Sequence, residues 1–358
     1  MLSDPGPPQV AKAPSGGSAV HVVTSAGAKI HPRDILLGAQ AQAGVLPVCD
    51  HYSGVEARMR KSLLLQAEMT EEFGACVFDV TLDCEDGAPV GGEAEHAALV
   101  VALAATAGPG ARIAVRVHPV DHPAFEQDVA TIAGKVGNRL CHMMLPKVES
   151  AADVDRAARA LDAVGAAHLP LHALIESPAA VYRAFDIAAH PRIQSLSFGL
   201  MDFVSAHGGA IPAGGMGIEG QFTHPLVVRA KLEIASACHA HGKVPSHGVV
   251  TEFKNTKALG HAAQRAAREF GFTRMWSIHP DQIRPILAAF APSEHDIDTA
   301  SKMILAAAAA QWAPISFDGT LQDRASYRYY WQVLERAHRT GRPLPQAVRS
   351  WFDASPNH

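Results

Sequence analysis

From about residue 44 onward, short β-branched or apolar runs alternate with alanine-rich stretches of helical length. The strand-like runs fall at 45–50, 75–84, 112–118, 140–146, 171–176, 194–199, 243–249 and 274–279. Amphipathic stretches lie between them, at 54–72, 93–107, 122–135, 150–164, 178–189, 225–241 and 255–270. Eight strands, each followed by a helix-length segment, match the count of an α/β (β/α)8 TIM barrel. A doubly wound sheet is the other architecture of this kind, but no glycine-rich dinucleotide turn is present. The pattern therefore predicts a barrel domain over 29–294. A short C-terminal hairpin and helix appendage follows over 295–358, with a helix at 295–310, a hairpin at Asp318-Gly319 and a helix at about 324–340. Residues 1–28, rich in Pro, Gly, Ala and Ser, read as a flexible leader.

Composition narrows the class. With 48% hydrophobic and 18% charged residues the chain can bury a large core. A net charge of −4 and the lack of a basic stripe argue against a nucleic-acid partner. No apolar run approaches the roughly 20 residues that cross a bilayer. The five cysteines are scattered without zinc spacing, as in a reduced, cytoplasmic protein. The leader lacks both a charged-then-apolar signal pattern and arginine, so it predicts no export.

The candidate chemistry sits at strand ends, where parallel α/β folds place their active sites. Around the ends of the fifth and sixth runs, the segments His172–Pro178 and Ser197–Asp202 carry the carboxylates Glu176 and Asp202. Two carboxylates converging from neighbouring strands point to a hard divalent cation held by oxygen. The alternative for each alone is a helix cap or a loop acid. The second run ends in Asp83-Cys84-Glu85-Asp86, a self-repelling cluster unless a cation faces it. Arg116 lies inside the third run, and it can pair with Glu85 or Asp86, bind a substrate carboxylate, or do both. Lys147 ends the fourth run, as a Schiff-base nucleophile or, more in keeping with a metal site, an electrostatic or substrate-binding group. His279 ends the eighth, as an acid–base or substrate-binding group or a hydrogen-bonded loop residue. A glycine-rich stretch, 203–224, follows Asp202 as either a surface excursion or a substrate-covering loop.

Taken together, these motifs resemble the HpcH/HpaI aldolase and citrate lyase β-subunit (CitE-like) family. The matching pieces are Leu82–Asp86, Val115–Val117, Met144–Ser150, Ala173–Ser177, Phe198–Asp202 and Ile278–Ile283, in the family's order over roughly 45–292. The resemblance implies a Mg2+-dependent carbon–carbon lyase acting on citryl-, malyl- or citramalyl-type thioesters, or on related hydroxy-oxo acids. It assigns the metal to Glu176 and Asp202 and the grip on a keto acid to Arg116, which Glu85 orients. It also implies CoA as part of the substrate, a homo-oligomer (trimer or hexamer), and Asp323 of the appendage reaching a neighbour's site. The aromatic tail, Tyr327 to Trp331, likewise calls for a surface to cover it.

Three stretches depart from the family pattern: His118 on the third strand, Leu46–Tyr52 at the first, and Ser246–Val250 at the seventh. In relatives these regions serve the acyl or CoA portion. Two further readings follow, thioester hydrolysis at the same site and a non-catalytic barrel subunit. Free thiol without a keto acid would mark the first, whereas the retention of Glu85, Arg116, Glu176 and Asp202 argues against the second.

Overall fold

The computed structural model describes residues 31–38 and 46–353; the leader expected at 1–28 lies outside them. Eight parallel strands form a closed (β/α)8 barrel. They are β1 (Cys49–Ser53), β2 (Phe78–Asp83), β3 (Ile113–Arg116), β4 (Leu140–Leu145), β5 (Leu171–Ile175), β6 (Ile193–Phe198), β7 (Val244–His247) and β8 (Arg274–Ser277). Cys49 pairs with Phe78 on one side and Met275 on the other, so β1 closes the ring.

Period-two alternation builds the wall. On β2, Phe78, Val80 and Leu82 belong to the main apolar cluster under the helices, while Asp79, Thr81 and Asp83 fall on the opposite, inward face. The barrel interior is therefore polar at its base. Arg274 lies 2.8 Å from Asp50 and 2.6 Å from Asp79. The stacked rings of His142 and His172, 3.6 Å between centroids, complete that layer. Above it, Tyr52, Met144, Leu174 and Trp276 form a separate small cluster.

Several local expectations change. β1 begins at Cys49, later than the expected run; Leu46 and Val48 are buried on the approach, where the Val48 carbonyl accepts the Met275 N–H at 2.9 Å. The helix expected at 122–135 breaks into Phe125–Asp128, a π-turn at Val129–Ala133, Gly134–Val136 and a 3-10 turn at Gly137–Arg139. Gly134 and Gly137 weaken helical continuity there. The stretch after β6 is a helix, Leu200–Ser205, then 3-10 turns at Ala213–Met216 and Gly220–Phe222. It is tightly folded: a Cβ on Gly220 would lie 1.8 Å from the Gly214 carbonyl oxygen.

The appendage has its own core. Helices Glu294–Ala309 and Arg324–Arg339 bury Ile304, Tyr327, Trp331 and Leu334 against each other, and Leu36 of helix Pro32–Leu37 joins them. The helix Pro32–Leu37 thus packs with the appendage, although it precedes the barrel in sequence. Between the two long helices, β9 (Ile315–Phe317) and β10 (Thr320–Gln322) form the hairpin, with positive φ at Asp318 (48°) and Gly319 (76°). Among the described residues no helix is long and apolar enough to cross a membrane.

Candidate active site

At the carboxyl ends of β2 to β6 the structure gathers most of the residues singled out by sequence. Arg116, at the end of β3, is nearly buried and donates from Nε to Asp83 Oδ1 at 2.7 Å and from Nη2 to Asp83 Oδ2. Glu85 lies 3.0 Å from Nη1. The arginine's principal partner is thus Asp83, with Glu85 second, and Asp86 is exposed and points to Lys147 at 3.5 Å. Asp83 also accepts the backbone N–H groups of Glu85 and Gly87, both at 3.0 Å, which fixes its carboxylate before it meets the guanidinium. Together these contacts hold the Arg116 proton more firmly than usual, overcoming burial that would loosen it. The guanidinium is a permanent, oriented cation.

Lys147 connects the two acidic halves. Its backbone N–H donates to Glu176 Oε1 at 2.7 Å, and its ammonium donates to Glu85. It adopts φ +50°, a left-handed conformation uncommon outside glycine, which turns the chain sharply after β4. Burial would lower its pKa, but the Glu85 hydrogen bond and charge raise it overall. A more firmly protonated lysine is a poor Schiff-base nucleophile.

Glu176 follows β5 and is 6% exposed. Burial, then the charge of Asp202, pushes its carboxyl up to about 8, against the Lys147 N–H that favours the ionised form. Asp202 lies in the first turn of helix Leu200–Ser205, half-buried rather than at the strand end itself. Gly199 makes the approach feasible, because a Cβ there would stand 2.4 Å from Glu176 Oε2. A buried carboxyl facing a second carboxylate, with the nearby ammonium spent on Glu85, fits a hard divalent cation. These residues therefore suit Mg2+.

A different cluster offers metal-type ligands at the barrel base, where atoms of Asp50, His142 and His172 lie within 4.8 Å of one another. Arg274 occupies that neighbourhood at 2.8 Å from Asp50, so the base already carries its cation as a guanidinium. His279 caps helix Pro280–Phe290, accepting from the Asp281 N–H at 3.2 Å, and stacks on Phe253 at 4.9 Å. Asp323 is exposed and caps helix Arg324–Arg339 within its own chain, accepting from the Ala325 N–H at 2.9 Å.

Sequence reasoning did not assign Asp83. The available signal was parity: Asp79, Thr81 and Asp83 share the face opposite Phe78, Val80 and Leu82, so Asp83 points the same way as the site.

The model of the HpcH/HpaI aldolase/citrate lyase family matches residues 62–280, which include every residue of this constellation. The chain belongs to this family. The chain is similar to an L-malyl-CoA/β-methylmalyl-CoA lyase of Cereibacter sphaeroides, 29% identical over 75% of this chain and 90% of that protein. A citrate lyase crystal structure from Burkholderia xenovorans is 47% identical, with a TM-score of 0.74, covering 90% of this chain and 100% of that one. The citrate lyase β subunit of Mycobacterium tuberculosis, solved with oxaloacetate and magnesium, is 25% identical with a TM-score of 0.54 over 69% and 98%. As a family member the protein is a carbon–carbon lyase.

Proposed function

We propose that the protein is a Mg2+-dependent lyase that cleaves or forms a 3-hydroxy-carboxyacyl thioester of the citryl, malyl or citramalyl type, or a related hydroxy-oxo acid. The observation that carries the reading is the buried Glu176 facing Asp202, with Arg116 locked by Asp83 and Glu85 beside it. Glu176 and Asp202 hold the metal. When bound, the cation polarises the keto-acid oxygens and steadies negative charge as the carbon–carbon bond breaks. Arg116 grips the carboxylate or carbonyl oxygen of the same half. Asp83 and Glu85 keep the guanidinium in its plane, and the Lys147 main chain aims Glu176. Lys147 and His279 border the substrate entrance, and Asp323 of a neighbouring copy completes the site in a homo-oligomer. The relatives named for malyl-CoA and oxaloacetate support this substrate class and the use of CoA.

The test is turnover of malyl-, citramalyl- and citryl-CoA with Mg2+, scored for both keto acid and acyl-CoA. EDTA, Glu176→Ala and Asp202→Ala each abolish cleavage while the circular dichroism spectrum stays that of the folded barrel. Full turnover by Asp202→Ala, with unchanged Mg2+ affinity, would overturn the metal assignment. Release of free thiol without a keto acid would replace the lyase by a thioester hydrolase.

A further inference from the structure

The outer helices of a barrel turn polar faces to water, and much of this wall obeys that rule. Helix Ala151–Ala163 exposes Asp155, Arg156, Arg159 and Asp162. Helix Thr256–Glu269 exposes Lys257, Gln264, Arg268 and Glu269. Between these two the wall changes character. Helix Pro225–Ala240, which leads into β7, leaves Leu226 38% and Leu232 46% exposed. It packs on helices Pro178–Tyr182 and Ala184–Ala189, where Tyr182 is 80% and Phe185 40% exposed. Large apolar side chains therefore stand in water on the two neighbouring units of the ring that carry Glu176 and Asp202. Single residues of this kind are ordinary on a surface, but a cluster across packed helices marks a contact.

The shape is that of a helix-sized furrow. A shallow groove of about 510 Å3 is lined by Pro225, Val228, Arg229, Leu232, Glu233 and Ser236. All six come from one helix at spacings of three and four, so the groove follows a ridge that a second helix can pack against. From Pro225 to Ser236 it extends about 16 Å, at 1.5 Å per residue.

Charge decides what fits. Arg229 and Glu233 pair along the helix at 3.6 Å, an exposed contact worth little by itself. Laid antiparallel on a second copy of itself about a midpoint near residue 231, the stripe becomes self-complementary. Arg229 then stands opposite Glu233, Val228 opposite Leu232 and Pro225 opposite Ser236, each pairing occurring twice. That reciprocity is what a two-fold contact requires. We propose that helix Pro225–Ala240 is a two-fold interface on which a second copy of this chain docks antiparallel. Leu226, Leu232, Tyr182 and Phe185 become covered, and each Arg229 shares the Glu233 of both copies.

This contact is separate from the appendage. Arg339 reaches the Leu46 carbonyl at 3.4 Å and Gly341 lies against Phe73, so the appendage meets the barrel beside β1. Along the closed ring β1 is three strands from β6. An assembly built through Asp323 and one built through this helix can therefore coexist, and two-fold docking makes the number of chains even. Nothing in the inference involves substrate, so it stands or falls independently of the lyase reading.

Analytical ultracentrifugation of the full chain across a dilution series counts the copies. We expect an even number for the wild type. Leu232→Asp places a charge in the apolar stripe and should halve the mass, raising the dissociation constant about a hundredfold. Arg229→Glu makes the stripe wholly acidic and Glu233→Arg makes it wholly basic. Each alone should weaken association about tenfold or more, most at low salt. An equimolar mixture of these two variants should regain the wild-type mass, because each supplies the charge that the other lacks. The mixture also separates a lost contact from damage to the fold, which mixing cannot repair, and circular dichroism of each variant should be that of the wild type. A wild type with one or three copies would overturn the proposal and leave the face to an unrelated partner. So would variants that keep the wild-type mass, or a mixture no heavier than its components.

Discussion

Asp83 supplies the clearest statement about a single side chain. It receives two backbone N–H groups and then the Arg116 fork, so its charge is fixed before substrate arrives. Asp83→Asn keeps the size but removes one acceptor and the charge, leaving the guanidinium to turn toward Glu85 alone. We expect kcat/KM to fall on the order of a hundredfold, the scale of an ångström-level misplacement, with the melting temperature moving far less than the rate. Glu176 carries a second expectation. Its carboxyl is raised to about 8, by burial and then by Asp202, so the metal-free protein holds a proton there at neutral pH. A cation must displace that proton. Mg2+ affinity therefore rises with pH up to about 8 and levels off above it, and binding at pH 7 releases a proton. Calorimetry in two buffers of different ionisation enthalpy reads the release directly; equal heats in both would refute it. Glu176 and Asp202 were legible in sequence because each ends an apolar run. Asp83 was hidden by its neighbours, since three acids in four residues do not say which one faces inward until the strand register is known.

At the scale of elements, the site depends on two strand-end turns. Lys147 bends the chain after β4 at positive φ, and Gly199 lets the turn after β6 press against Glu176. Gly199→Ala would place a Cβ 2.4 Å from Glu176 Oε2 and 2.5 Å from its Cβ, so the carboxylate must retreat. Mg2+ affinity should drop about tenfold to a hundredfold, while the far-ultraviolet spectrum remains that of the barrel. Unaltered affinity would mean that the turn relaxes freely. Most strands were readable because their outward faces are apolar under a helix, as with Phe78, Val80 and Leu82 on β2 and Ile113 and Val115 on β3. β1 was misplaced because its approach, Leu46 to Val48, is more apolar than the strand, whose inward residues are Asp50 and Tyr52. The stretch after Asp202 reads as glycine-rich and loose, yet its glycines serve close backbone approach, as Gly220 does against Gly214. Composition reports the glycines; only the contacts show what they are for.

For the whole molecule, the barrel base is the counterpart of the rim. Asp50 on β1, Asp79 on β2 and Arg274 on β8 meet across the closing seam, and Arg112 shares Asp79 from the far side. Burial alone would raise the Asp50 carboxyl, but the Arg274 charge, together with His142 and the Thr81 hydrogen bond, outweighs it and holds the group well below the usual carboxylate range. The sign follows: this pair stabilises the fold above the unfolded carboxylate value near 4 and loses that contribution as the pH falls further. No local sequence pattern announces the arrangement, because Arg274 lies 195 residues beyond Asp79 and meets it only when the barrel closes. Arg274→Met tests how much of the closure rests on it. Removing the guanidinium leaves Asp50 buried without a cation, while Asp79 keeps Arg112. A broken buried pair costs about 3–5 kcal/mol, a fall in melting temperature on the order of ten degrees for a chain of this size. Adding Asp50→Asn to Arg274→Met removes the stranded charge and should recover part of the loss. A single variant as stable as the wild type would show that the base is held by packing and that its charges are incidental. The rim offers the internal control: Mg2+ affinity at 20 °C, well below melting, should be nearly unchanged, because an apolar layer separates Arg274 from Glu176.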